Sequence, residues 1–168
     1  GLTHRDSFVL VSFTWILICV TGSLPFFLSG AVTGFVDALF ESTSGFTTTG
    51  SSIFSDVETL PYSLLFWRSL THWIGGMGII VLAVAVLPFL GISGYQLMAA
   101  EAPGPEIERV TPRITHTAKV FWLFYVGFTV VETVLLMAGG LTFFDAITHT
   151  FATLATGEFS TKNGSMTS

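Results

Sequence analysis

Charge is what this sequence has least of. Asp, Glu, Lys and Arg make up 10% of its 168 residues, where a soluble chain carries about 25%. Only six residues are basic and the formal net charge is −5, which excludes a nucleic-acid binder built on clustered Lys and Arg. Cysteine is nearly missing as well. Cys19 stands alone inside an apolar run, so neither an intrachain disulfide framework nor a zinc cluster is available. There is no Gly-x-Ser-x-Gly elbow, and no nucleophile stands at a recognisable spacing from His72, His116 or His149. An intramembrane serine hydrolase, the alternative from a different class, therefore lacks its signature. What remains is apolar: 51% of the residues are hydrophobic and the mean hydropathy is +0.74.

That apolar content is gathered into runs of spanning length. Phe8 to Leu28 passes 21 residues without a charge, enough to cross a bilayer. Pro25 near its end predicts a stop or kink. A second span is expected over 64–90 and a third over 120–141, the latter interrupted only by Glu132. A carboxylate at that depth faces protein or water, as an ion-handling group or as a hydrogen-bond bridge between helices. The spans predict an all-α membrane protein.

Between the first two spans lies Glu41-Ser42-Thr43-Ser44-Gly45-Phe46-Thr47-Thr48-Thr49-Gly50, rich in hydroxyls and small residues. Non-helical backbone is tolerated inside a bilayer only where protein buries it or where it lines a wet cavity. The run reads as a re-entrant loop preceded by a short helix over 37–43. The negative end of that helix would point toward Gly45 and favour a cation. Asp37 reads as a helix cap or as a charge facing the positive end of the dipole. In the second span, Gly75-Gly76-Met77-Gly78 predicts close backbone approach to a neighbour. Arg68 reads as an interfacial anchor or as the partner of an outer carboxylate, and His72 as a packed, hydrogen-bonded residue.

The segment 91–118 holds Pro103, Pro105 and Pro112, with Arg109 and Arg113 and, just beyond it, Lys119. The positive-inside tendency makes it a cytoplasmic connector, with 51–61 outside. After it the pattern returns. Phe143-Phe144-Asp145-Ala146 echoes Phe35-Val36-Asp37-Ala38, and Gly157-Glu158-Phe159-Ser160-Thr161 echoes Ser44-Gly45-Phe46-Thr47-Thr48. Matching Gly45 to Glu158 requires a gap of five residues. The expected organisation is a first repeat over 1–90, the connector over 91–118, and a truncated second repeat over 119–168 with its short helix and loop at 143–163. Together with the missing initiator Met, this reads as a fragment of a longer protein.

The motifs are specific enough to name a family. Phe-Glu-Ser-Thr-Ser-Gly-Phe-Thr-Thr-Thr-Gly at 40–50 resembles the first pore loop of the TrkH/KtrB family of potassium transporters. Arg-Ser-Leu-Thr-His-Trp-Ile-Gly-Gly-Met-Gly at 68–78 resembles the helix that follows it, and Ala-Glu-Ala-Pro-Gly-Pro at 100–105 and Thr-Ala-Lys at 117–119 resemble the connector. The resemblance implies four helix–loop–helix repeats around one pore, with a filter of backbone carbonyls that replace the hydration shell of K+. It assigns ion binding to Thr43, Ser44, Gly45, Phe46 and Thr47 in the first loop and to Thr156, Gly157, Glu158, Phe159 and Ser160 in the second. It further implies no covalent catalysis and K+ as the transported ion. The partners it implies are the remaining two repeats, a second copy of the chain, and a cytosolic nucleotide-binding regulatory subunit of the TrkA/KtrA kind, in a bacterial inner membrane. A sodium-permeable relative is the alternative within transport. Glu158 departs from the pattern, because glycine is expected at a filter position that disfavours a side chain; a misplaced gap, with Gly157 in that role, would account for it too.

Overall fold

The computed structural model describes residues 4–86, 107–157 and 159–161. Glu158 and most of the 91–118 connector lie outside them. The described residues form no strand. They form α1 (His4–Leu28), α2 (Phe35–Phe46), α3 (Tyr62–Val86), α4 (Ile107–Ala138) and α5 (Phe143–Leu154). Three of these are long and apolar enough to cross a membrane, over Val9–Leu28, Tyr62–Leu82 and His116–Ala138.

The helix ends differ from the sequence reading for local reasons. Pro25 lacks only its own N–H, while its carbonyl still accepts from the amide of Ser29 at 3.1 Å, so α1 runs past it to Leu28. The short helix α2 reaches Phe46, three residues beyond the expected end. Its N-cap is Gly34, with Asp37 in the first turn facing the helix dipole rather than capping. In α5 the equivalent aspartate is part of a cap. As N-cap, the Thr142 hydroxyl accepts from the amide of Asp145 at 3.2 Å and donates to its carboxylate at 2.7 Å. Much of the expected connector is helical as well, since α4 begins at Ile107.

The central element is α3. Of its span, 44% is buried, against 22% for α1 and 17% for α4. It packs against both short helices and against α4. Indole and phenol groups fasten it: Trp67 donates to the carbonyl of Gly22 at 3.0 Å on α1, Trp73 to the hydroxyl of Thr129 at 3.0 Å on α4, and Tyr125 returns to the carbonyl of Trp73 at 3.1 Å. At one end, Phe26, Val32, Ala38 and Leu64 close a small core. The outer faces of α1 and α4 leave large apolar side chains exposed, Phe13, Ile16, Leu123 and Phe128 among them. Such a surface suits lipid and not water.

The two halves repeat with a register that the sequence comparison missed. Helix α2 spans 35–46 and α5 spans 143–154, a shift of 108 at both ends. The same shift relates their N-caps, Gly34 and Thr142, and their C-caps, Thr47 and Ala155. Helices α1 and α4 end at Leu28 and Ala138, a shift of 110, each followed two residues on by a glycine of positive φ, Gly30 or Gly140. Between the ends of α1 and α4 and the turns that close α2 and α5, the described residues therefore differ in length by two, before the short helix. The five-residue gap inside the loop is not there. Gly45 corresponds to Thr153, and Glu158 corresponds in sequence to Gly50.

Candidate functional site

Each short helix ends in the same hydrogen-bonded turn. The amides of Thr47, Thr48 and Thr49 donate to the carbonyls of Thr43, Gly45 and Ser44 at 2.9, 3.0 and 3.0 Å. Those of Ala155, Thr156 and Gly157 donate to Phe151, Thr153 and Ala152 at 3.4, 2.9 and 2.9 Å. Both turns pass through a left-handed threonine, Thr48 at φ 58° and Thr156 at φ 54°. A β-branched residue is a genuine outlier there, and strain of this kind gathers at functional sites. Beyond the turns the backbone is no longer helical. Gly50, at φ 80°, is a position that suits glycine.

The first of these turns takes up residues expected in the loop. Of the residues expected to bind the ion there, Thr43, Ser44, Gly45 and Phe46 form the last turn of α2, and Thr47 is its C-cap. The carbonyls of Thr43, Ser44 and Gly45 are engaged in ending the helix. Ser44, Gly45 and Phe46 are also buried, whereas Thr49, Ser51, Ser52 and Ile53 are exposed. Gly45 is small for a steric reason: a Cβ there would lie 2.9 Å from Cβ of Thr71 on α3. In the second loop Thr156 lies in the turn itself and the amide of Gly157 closes it. Phe159 is buried and Ser160 half-buried.

Behind the loops lies a buried ion pair. Nε of Arg68 donates to Oε1 of Glu41 at 2.8 Å, with the side chains 2% and 0% exposed. The carboxylate also accepts from the hydroxyl of Ser52 at 3.0 and 3.1 Å and from the amide of Ile53 at 3.0 Å. The guanidinium donates further to Ser52 Oγ at 3.0 Å and to the carbonyl of Ser160 at 3.2 Å. Its Cζ lies 4.2 Å from the centre of the Phe159 ring, a cation–π distance. Arg68 is thus no interfacial anchor. Its carboxylate partner is Glu41, on the short helix, 27 residues away. A lone arginine in an apolar span calls for a partner. The sequence contained that signal but no local spacing to choose among carboxylates.

One turn along α3, His72 packs its ring edge-on to Phe159 at 4.1 Å between centroids. It also faces Gly157, where a Cβ would stand 2.7 Å from its Cγ. The expected hydrogen bond is not made, since neither ring nitrogen has a partner among the described residues. His149 holds the carbonyl of Asp145 through Nδ1 at 2.9 Å, and His116 is exposed. Glu132 is half-buried on α4, and no helix-bridging hydrogen bond from it forms among the described residues.

Residues 2–168 match the family of cation transport proteins called TrkH. The chain belongs to the TrkH family. It is 45% identical to the Trk system potassium uptake protein TrkH of Halomonas elongata, over 98% of this chain and 35% of that one. To the protein of the same name from Escherichia coli K12 it is 47% identical, with the same coverage. The crystal structure of the potassium transporter TrkH from Vibrio parahaemolyticus superposes with a TM-score of 0.82 at 41% identity, covering 99% of this chain and 32% of that chain. The chain spans about a third of the length of these relatives. As a TrkH-family member with three spanning helices, it is an integral membrane protein.

Proposed function

We propose that the chain supplies two of the walls of a potassium pathway, and that the ion meets backbone carbonyls of the stretches following α2 and α5. The observation carrying this reading is the repeated turn: two loops 108 residues apart, with matching hydrogen bonds and a left-handed threonine in each. On this reading we assign the filter of the first loop to Thr48, Thr49, Gly50 and Ser51 in place of 43–47, in support of which Thr43 to Phe46 lie in the last turn of α2. The equivalents in the second loop are Thr156, Gly157, Glu158 and Phe159. The negative ends of α2 and α5 lead directly into these stretches, which favours a cation. Carbonyl rings of this sort select by replacing the ion's hydration shell.

The relatives named as potassium uptake proteins support K+ as the transported ion and transport without covalent catalysis. We assign the remaining walls to two further repeats, and place the protein in the plasma membrane as a homodimer with a cytosolic nucleotide-binding regulatory subunit. Glu158 favours a second reading, a sodium-permeable pathway, since it sets a carboxylate in sequence where the first loop has Gly50.

The test is Gly50→Ser in the protein as encoded, with potassium and sodium uptake measured in cells lacking other potassium systems. A side chain at φ 80° brings strain of about 1–3 kcal/mol, so the potassium-to-sodium ratio should fall by about tenfold. A ratio unchanged by Gly50→Ser but lowered by Gly45→Ser would return the filter to the end of α2.

A further inference from the structure

The guanidinium of Arg68 does more than neutralise Glu41. Its three kinds of nitrogen reach three separate places: Nε the carboxylate of Glu41 on α2, Nη2 the hydroxyl of Ser52 in the first loop, and Nη1 the carbonyl of Ser160 in the second. Ser52 and Ser160 are equivalent positions under the 108-residue shift that relates the repeats. One planar, rigid group therefore joins corresponding points of two different loops. Phe159, next to Ser160, lies against the same guanidinium at 4.2 Å and against His72 at 4.1 Å. The second loop is thus clamped between two side chains of the first repeat.

We propose that Arg68 is a positioning residue that fixes the second loop relative to the first and so sets the discrimination between potassium and sodium. This rests on the reading of the two loops as ion-contacting walls. A carbonyl ring discriminates through the number and placement of its oxygens. In each repeat the loop backbone is held within the repeat by the turn that ends its short helix, and that turn says nothing about the distance to the other loop. The Arg68 bridge supplies that coordinate. Lysine offers a point charge on a flexible stem and lacks the planar fork of donors, so it keeps the charge pair without the geometry. The bridge is also electrically balanced, because Glu41 is fully buried beside it; its removal as a pair changes placement without leaving a buried charge.

The experiment uses the protein as encoded, with uptake of potassium and sodium normalised to the amount of protein in the membrane. Two variants are compared with wild type: Arg68→Lys, which retains the buried charge pair, and Arg68→Met/Glu41→Gln, which removes both charges together, a replacement that buried ion pairs often tolerate. The double variant should lower the potassium-to-sodium ratio by about tenfold, the scale of one hydrogen bond to a charged group, with Arg68→Lys intermediate. A purely structural brace would lower the amount of protein, or the uptake of both ions alike, and leave the ratio unchanged. Such an unchanged ratio in a potassium-selective wild type overturns this inference and leaves the reading of the loops standing. A wild type that takes up no potassium overturns both.

Discussion

Gly75 shows how little room a single residue is given at the joint between α2 and α3. A Cβ on it would lie 2.7 Å from the carbonyl carbon of Phe46 and 2.9 Å from its Cα. These are backbone atoms at the end of α2, so no rotamer change relieves the contact. Gly75→Ala should therefore destabilise the purified protein by about 1–3 kcal/mol, the usual cost of overpacking, read as a lower thermal midpoint. A Cβ on Gly127 of α4 would meet nothing within 4 Å, and Gly127→Ala should leave the midpoint unchanged or raise it, because alanine favours the helix. Equal midpoints for both variants would mean that α3 does not approach α2 this closely. The small residues of 75–78 were legible as a close-packing signal, because glycine is costly in a helix unless something needs the space. The partner in that contact was not, since nothing local in the sequence links Gly75 to Phe46. The same holds for Glu41 and Arg68: the need for a pair was visible and its identity was not.

At the scale of elements, the spans and short helices were legible from the lengths of the apolar runs, while their ends were not. Helix α2 continues through Thr43-Ser44-Gly45-Phe46, a run whose hydroxyls and glycine read as loop. Burial against α1 and α3 overrides that local preference: Ser42 donates to the carbonyl of Cys19 on α1 at 2.8 Å, and Gly45 admits Thr71. The misreading of α2's end also displaced the repeat, because matching Gly-Phe to Glu-Phe by letters aligned the last turn of α2 with residues beyond the end of α5. The hydrogen-bonding pattern sets the shift at 108 residues, under which Glu158 corresponds in sequence to Gly50. Glycine tolerates the dihedrals of Gly50 where glutamate resists them. Glu158→Gly should accordingly raise both potassium uptake and the potassium-to-sodium ratio, and should lessen any dependence of uptake on external pH by removing a titratable group. Uptake of both ions unchanged across external pH would show that position 158 does not contact the pathway.

For the whole molecule, the large apolar side chains on α1 and α4 and the buried polar joint around α3 define what faces lipid and what faces protein. Orientation is a separate matter, and the basic residues flanking the connector lead us to expect it on the cytoplasmic side. With Cys19→Ser as background, single cysteines at Ser55 and Thr111 can be treated in intact cells with an impermeant thiol reagent. Position 55 should label and position 111 should not, the latter preceding the span that begins at His116. The opposite pattern would invert the protein in the membrane, and the loops would then open to the cytoplasm.

On the proposed function, the stretches after α2 and α5, and not the helix ends themselves, contact the permeating ion. This is tested most directly by crystals of the protein as encoded, grown in rubidium in place of potassium, with anomalous difference density locating the ion. A peak coordinated by backbone carbonyls of residues 48–51 and 156–159 is the expected result. A peak at the carbonyls of Thr43, Ser44 and Gly45, or one that touches neither loop, would contradict it.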